Sequence, residues 1–300
     1  MSRSDNMTGA VLMMASMAAF TINDTLMKML AGAAPLNQLL FLRGVLMTVA
    51  LIGLVWWVKA YPRGIPNRDW WLIALRALAE TFVIYFFLTA LFNMPLANIT
   101  AILQALPLTI TLAAAVFLKE PAGWRRITAI LVGFVGVLLI VRPGAADFNF
   151  YSMYGLAAVA CITCRDLITR RLSPQTPSLF VTLVATVTVT VIFGAFSLRD
   201  TWAPMGMRDL GTLIAAAAFV TIGFLSAVMV MRVGEVSYTI QFRYSGLLWA
   251  LLLGWVVFGD WPDALTMIGA SLVVGSGMFT LLREARLAQK KSSEPDPHRH

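Results

Sequence analysis

An all-helical membrane protein, with ten transmembrane helices arranged as two inverted five-helix repeats, is the fold class this sequence predicts. Three observations carry it. Hydrophobic residues make up 59% of the chain and charged residues 13%, whereas a soluble domain is roughly half apolar and a quarter charged. Apolar stretches of about 20 residues, enough to cross a hydrocarbon core of about 30 Å, recur along the whole length. Third, one apolar stretch studded with polar residues has a later counterpart. MPLANITAILQALPLTITLAAAVFLKEPAGW (94–124) lies over GEVSYTIQFRYSGLLWALLLGWVVFGDWPD (234–263), with Asn98 on Tyr238, Gln104 on Tyr244, Pro107 on Leu247 and Glu120 on Asp260. A polar helix that recurs once per half points to a binding site between two halves.

The first span, 8–30, carries Asn23, Asp24 and Lys28 and lacks a small-x-small site before a polar region, so it reads as a retained helix. Further spans follow at 35–58, 69–91, 95–118, 124–141, 152–172, 177–198, 209–231, 236–258 and 263–282. Pro35, Pro66, Pro95, Pro121, Pro177, Pro204 and Pro262 punctuate most of the short connections. In the fourth span Pro107 is expected to open the helix locally or to act as a packing kink. The sixth contains Cys161 and Cys164, whose spacing suits close helix packing better than a metal or redox pair. Gly133, Gly136, Gly269, Gly275 and Gly277 give the fifth and tenth spans close-packing faces. Residues 284–300 are charged and Pro-containing and read as a disordered tail.

Basic residues set the orientation. With the N-terminus cytoplasmic and ten crossings, only Lys28, Arg142, Arg199 and Arg208 fall on the outer face. The remaining Lys and Arg residues outside the spans, those of the tail included, collect on the inner one. Both termini are therefore expected in the cytoplasm. The charge of +8 is spent at helix ends and in the tail, which excludes nucleic acid as a partner.

The two halves also share a charged ending. NDTLMK closes the first span and RDLITR the sixth, and in each an Asp precedes a basic residue by four positions: Asp24 with Lys28, and Asp166 with Arg170. Such pairs share a helix face. Two roles stand open for them, salt bridges at helix ends or gates that close alternately. Since five is an odd number of crossings, the second half enters the membrane upside down, as in many secondary transporters.

Charges inside spans cost about 2.5–3.5 kcal/mol each at mid-helix and need a partner or a wet cavity. Arg76 and Glu80, spaced i,i+4, either lock the third span or separate when Glu80 takes a proton or binds substrate. Glu80 is the first choice for a coupling residue, with Asp24, Lys28, Asp166 and Arg170 as gating candidates. Substrate contact is expected from Gln104 and Tyr244, then Gln241, Asn98, Arg76, Arg243 and Trp249. Amides and a phenol orient a polar ligand and aromatic faces stack on planar rings. The competing reading is hydrogen bonding between helices, typically about 0.6 kcal/mol each. Arg43 is expected to snorkel to the outer interface.

The motifs MPLANITAILQALPL followed by FLKEPAGWRRITAILVGFVGVLLIVRPG, and RYSGLLWALLLGWVVFGDWPDALTMIGASLVVGSG later, resemble the EamA-type carriers of the drug/metabolite transporter superfamily. The resemblance implies one repeat over 9–141, a second over 153–282 and a cytoplasmic tail over 284–300. NDTLMK, LRALAE, RPGAADFN, RDLITRR and FRYSGLLWALLLGWVVFGDWPD are similar to a bacterial branch that includes riboflavin carriers (RibN) and S-adenosylmethionine uptake carriers. It implies a bacterial inner-membrane protein that moves a small organic metabolite by alternating access. Arg76, Arg165 and Arg243 against Glu80 and Asp166 lean positive, which favours riboflavin over cationic S-adenosylmethionine. An amino-acid or metabolite exporter is a further alternative.

No G-x-x-x-x-G-K-[ST] occurs, so this chain does not hydrolyse ATP. With no histidine in the spans and no paired-carboxylate motif with a nucleophile, no enzyme is expected, and neither is a cofactor or metal. The partners expected are a small-molecule substrate and membrane lipid. A proton as coupling ion and a second copy of the chain stay open.

Overall fold

The structure, a computed structural model, describes residues 3–59, 61, 64–117, 124–143, 149–233 and 239–293. Its helices are α1 (Arg3–Met29), α2 (Leu36–Val58), α3 (Asn67–Asn93), α4 (Leu96–Leu103), α5 (Leu106–Phe117), α6 (Trp124–Val141), α7 (Tyr151–Thr169), α8 (Ser178–Ser197) and α9 (Met207–Val233). A 3-10 turn (Ile240–Tyr244), α10 (Ser245–Phe258) and α11 (Ala264–Ser293) complete the chain. Six stretches are long and apolar enough to cross a membrane: five within α1, α2, α3, α8 and α9, and a sixth, Leu96–Phe117, that joins α4 to α5. Large apolar side chains such as Val49, Leu131, Leu138 and Val256 are exposed around the bundle, a surface that requires lipid. Trp56, Trp57 and Trp71, also exposed, sit at the ends of α2 and α3, as interfacial tryptophans do.

Local chemistry sets the boundaries. Pro35, Pro66, Pro95 and Pro177 each stand immediately before a helix, where their missing N–H costs nothing. Their carbonyls accept the first helical bonds, for example from Leu39 (3.1 Å), Ile99 (3.2 Å) and Val181 (3.1 Å). Gly259, with φ of 71°, ends α10 in the left-handed region that glycine enters freely.

The fourth span is broken as Pro107 leads one to expect. Proline has no N–H for the carbonyl four residues back and its ring crowds that carbonyl, so α4 ends at Leu103 and a tight turn at Gln104 and Ala105 leads into α5. The ninth span breaks as well, at a 3-10 turn over 240–244 that its sequence did not announce, since Leu247 stands where Pro107 does. There the Ser245 hydroxyl donates to the Phe242 carbonyl at 2.7 Å. At the far end α11 runs on to Ser293, so 284–293 is helical where a disordered tail was expected; 294–300 lies outside the described residues, as does the corner Lys119–Glu120–Pro121.

The packing repeats between halves. α1 packs on α9 and α3 on α7; α2 packs on α9 and α3 on α8; α1 packs on α10 while α7 packs on α4 and α5. α2–α8 and α6–α11 are self-matching pairs. Exchanging the helices of the first half with those of the second leaves these pairings unchanged, while the smaller contacts of α3 with α1 and α4, and of α4 with α11, have no counterpart as large among the described residues.

Polar bonds join the connections into layers. Asn37 donates to Asp200 (2.9 Å), and Gln38 makes a reciprocal pair with the Ala203 backbone (2.9 and 3.0 Å). Asn149 donates to the Asn93 carbonyl at 3.1 Å, and Arg142 pairs with Asp263. Lys28 donates to the carbonyls of Leu91 (3.3 Å) and Met94 and lies 5.3 Å from the Phe258 ring centroid. On the other side Asp69 accepts from the Ser173 N–H (2.9 Å), the Ser173 hydroxyl (2.6 Å) and the Thr176 hydroxyl (2.6 Å).

The glycine faces divide. Gly136 and Gly269 meet carbonyl to Cα where α6 crosses α11, and Gly277 makes room for the Tyr244 phenol. Gly275 has nothing within 4 Å of where a Cβ would stand, so it is not a packing glycine.

Asp263 caps α11 by accepting the Thr266 N–H at 2.7 Å. That bond first, and then Arg142, holds its carboxyl below the usual carboxylate range. The stabilisation is therefore present above the unfolded value and lost as pH falls through the folded one. We expect thermal stability to decline on acidification below about pH 5, and Asp263→Asn to reduce that decline; Tm measured against pH in detergent checks it.

Candidate transport site

Five charged side chains from three elements gather where α3 meets α7. From α7, Arg165 forks two carboxylates. Its Nη1 lies 3.2 Å from both oxygens of Glu80 on α3, and its Nε and Nη2 lie 2.9 and 2.8 Å from Asp166 Oδ1. Arg76, one turn before Glu80, stands 4.0 Å from it and donates through Nε to the Thr169 hydroxyl at 3.1 Å. Arg243 enters from the 3-10 turn and feels both Asp166 and Arg165. Three guanidiniums thus face two carboxylates across three elements. Arg76 Nη1 is buried without a hydrogen-bond partner.

The second feature is the meeting of the two helix breaks. Gln104, at the end of α4, donates through Nε2 to the Tyr244 carbonyl at 3.2 Å. Both side chains are buried, at 8% and 6% exposure, and they occupy equivalent positions of the two halves. The Tyr244 hydroxyl is buried without a hydrogen-bond partner, as is Asn98 Oδ1 near the start of α4.

Two sequence-based pairings are corrected. Asp24 does not pair with Lys28: it accepts from Asn23 Nδ2 at 2.9 Å, and the charge acting on it is Arg43 from α2. Lys28 instead caps the end of α3, and Asp260 is the carboxylate it senses. Asp166 likewise goes to Arg165 and not to Arg170, which is exposed. In both cases the i,i+4 geometry is available, but the carboxylate goes to the residue just before it, Asn23 or Arg165, while Lys28 turns to the end of α3. Arg43 does not snorkel either; it is buried at 7% exposure. The Gln241 side chain lies outside the described residues, and Trp249 is 36% exposed.

Asn23 and Arg43 are the residues the sequence did not raise to the site. Their signal was present: an amide preceding an in-span Asp, and an arginine too deep for an interface. An apolar cavity of about 400 Å³ between α4, α10 and α11, lined by Ala97, Ala101, Leu247, Leu251, Ala270 and Val274 among others, includes none of the charged residues. Among the described residues no three His, Cys, Asp or Glu side chains gather as metal ligands.

The profile of the EamA-like transporter family matches residues 7–142 and 149–282. The chain is similar to the riboflavin transporter of Vibrio cholerae, with 26% identity over 72% of this chain and 73% of that one. It is also similar to the S-adenosylmethionine uptake transporter of Rickettsia prowazekii, with 22% identity over 95% and 96%. A third relative is the pseudopaline exporter CntI of Pseudomonas aeruginosa, with 22% identity over 89% and 93%. A crystal structure at 20% identity shares the fold, with a TM-score of 0.60 over 98% of this chain and 100% of the other.

Proposed function

The chain belongs to the EamA-like transporter family, and from that premise we propose a secondary carrier that takes up a riboflavin-like metabolite by alternating access. It is a multi-pass membrane transporter of small molecules and not an enzyme. The reading gives it ten spans in two inverted repeats, 9–141 and 153–282, in a bacterial inner membrane with both termini cytoplasmic. The shared helix pairings support the repeat. The inversion is supported by the connections: the end of α1 and the start of α7 belong to one bonded layer, so these equivalent helices run in opposite directions.

The substrate class rests on one observation, the charge balance of the α3–α7 cluster. Arg76, Arg165 and Arg243 outnumber Glu80 and Asp166. A sulfonium or ammonium ligand wants a surplus of carboxylates, while a neutral or weakly anionic planar molecule does not. Substrate contact is assigned to Gln104, Tyr244, Asn98, Gln241, Arg76, Arg243 and Trp249. The unpartnered Tyr244 hydroxyl and Asn98 Oδ1 are groups a polar ligand would complete. Asp166, Arg165 and Glu80 hold the cluster together, and Lys28 works as a latch between halves. The alternative is S-adenosylmethionine, which the Rickettsia relatives favour by name.

Counterflow of labelled riboflavin and of labelled S-adenosylmethionine in proteoliposomes tests this, together with rescue of the matching auxotrophs. Riboflavin counterflow is expected. Counterflow of S-adenosylmethionine alone moves the reading to the alternative, and rescue by neither ends the substrate assignment. Gln104→Ala and Tyr244→Ala are each expected to weaken apparent affinity about tenfold, or about 1.4 kcal/mol. Normal transport by both would remove the break-to-break contact from the site.

A further inference from the structure

The in-span carboxylates are held very differently. Glu80 takes Arg165 on both oxygens and has Arg76 at 4.0 Å. Asp166 takes two bonds from Arg165. Asp24, half-buried near the end of α1, takes one hydrogen bond, from the neutral amide of Asn23. Around it the fold leaves opposite kinds of polar atom unused. Asn23 Oδ1, on a residue 3% exposed, has no partner, and Arg43 Nε, on a residue 7% exposed, has none either. Arg43 influences Asp24 by charge, yet among the described residues no ion pair joins them. Buried polar atoms are nearly always satisfied, so an idle acceptor on the adjoining Asn23 and an idle donor on Arg43, whose charge reaches Asp24, point to a place where something binds.

The surroundings narrow what that is. α1 packs on α9, α10, the 3-10 turn and α3. α10 has no charged residue, and α9 carries its charges only in its end turns, Arg208 and Asp209 in the first and Arg232 in the last. The 3-10 turn brings Arg243, which faces Asp166 and Arg165. Arg76 and Glu80 of α3 belong to the α3–α7 cluster. On α1 itself Lys28 is turned to the end of α3. Among the described residues Arg43 is thus the one charge acting on Asp24, which disfavours a metal ion and suits the smallest cation.

We propose that Asp24, flanked by Asn23 and Arg43, is where a proton is bound and released during transport, in place of Glu80. A proton arriving from one aqueous face forms an O–H bond at the Asp24 carboxylate, and the same bond breaks to release it at the other face. Protonation displaces no guanidinium from Asp24, whereas at Glu80 it would dismantle the Arg165 fork. Neutral Asp24 leaves Arg43 without a counter-charge, so the proton alters the balance between α1 and α2, the first two spans of one half. The assignment rests on the carrier reading, but its location can be tested without a substrate.

Infrared difference spectroscopy of the full-length protein in nanodiscs, titrated across neutral pH, reads the carboxylic-acid C=O stretch directly. The wild type is expected to show a titrating band that disappears in Asp24→Asn and persists in Glu80→Gln. Asn23→Ala keeps the carboxylate, and is expected to keep the band and move its midpoint. A band lost in Glu80→Gln and kept in Asp24→Asn would overturn the assignment, as would a wild type with no titrating band or a midpoint unmoved by Asn23→Ala. A second arm uses proteoliposomes with an internal pH dye. Riboflavin is expected to carry protons inward in wild type and at least tenfold fewer in Asp24→Asn. If riboflavin is not transported while the infrared band behaves as described, the substrate reading fails and the proton site stands.

Discussion

Replacing Arg165 with alanine is expected to destabilise the protein by about 3–5 kcal/mol, the usual cost of removing one partner from a buried ion pair. Its side chain is 21% exposed, against 17% and 27% for Glu80 and Asp166, so solvent screens the loss only in part and the lower end of that range applies. Two carboxylates lose their shared fork, and Arg76 at 4.0 Å is the remaining ion-pair neighbour of Glu80. The variant Arg165→Lys keeps the charge but cannot address Glu80 and Asp166 from separate nitrogens of a planar group, so it is expected to fall between wild type and alanine. Adding Glu80→Gln to Arg165→Ala removes an orphaned carboxylate and should restore more stability than it costs alone, a departure from additivity typical of contacting groups. Thermal unfolding in detergent, followed by tryptophan fluorescence, distinguishes these cases. Equal melting of wild type, Arg165→Ala and Arg165→Lys would mean that the fork carries no stability.

That cluster also shows how far the sequence could be read. The helix positions were legible because long apolar runs dictate membrane helices almost alone. Ends were legible because proline before a helix and glycine after one are chemically constrained. The Pro107 break followed from a missing N–H. Its counterpart before Ser245 did not, because nothing in Leu247 demands a break and the turn is held by a serine hydroxyl. The cross-helix partners were the least legible. From the sequence, Asp24–Lys28 and Asp166–Arg170 are equivalent i,i+4 pairs. In the fold, α7 lies on α3 and Arg165 finds Glu80, while Lys28 finds the carbonyls that end α3. A local spacing rule shows which residues can meet on one helix, but not that Asp24 and Asp166 turn to the residues just before them, nor that Arg165 and Lys28 reach across to α3.

The crossing of α6 and α11 yields the second large effect. A Cβ added to Gly136 would stand 2.6 Å from the Gly269 carbonyl oxygen, and one added to Gly269 would stand 2.5 Å from the Gly136 carbonyl oxygen. The obstructing atoms are backbone, held in their own helices, so no rotamer change relieves the overlap and the helices must separate. Membrane helices associate largely through such close approach, and overpacking typically costs about 1–3 kcal/mol. Gly136→Ala and Gly269→Ala are each expected to lose that much in detergent unfolding. Once the helices have been pushed apart, the second substitution meets a relieved contact, so the double variant should cost less than the sum. Gly275→Ala, facing open space, is expected to melt with the wild type. Because α6 and α11 contribute none of the proposed substrate contacts, the residual transport of the two crossing variants should keep its apparent affinity while its capacity falls. A weakened affinity equal to that of Gln104→Ala would instead place the α6–α11 crossing within the transport site.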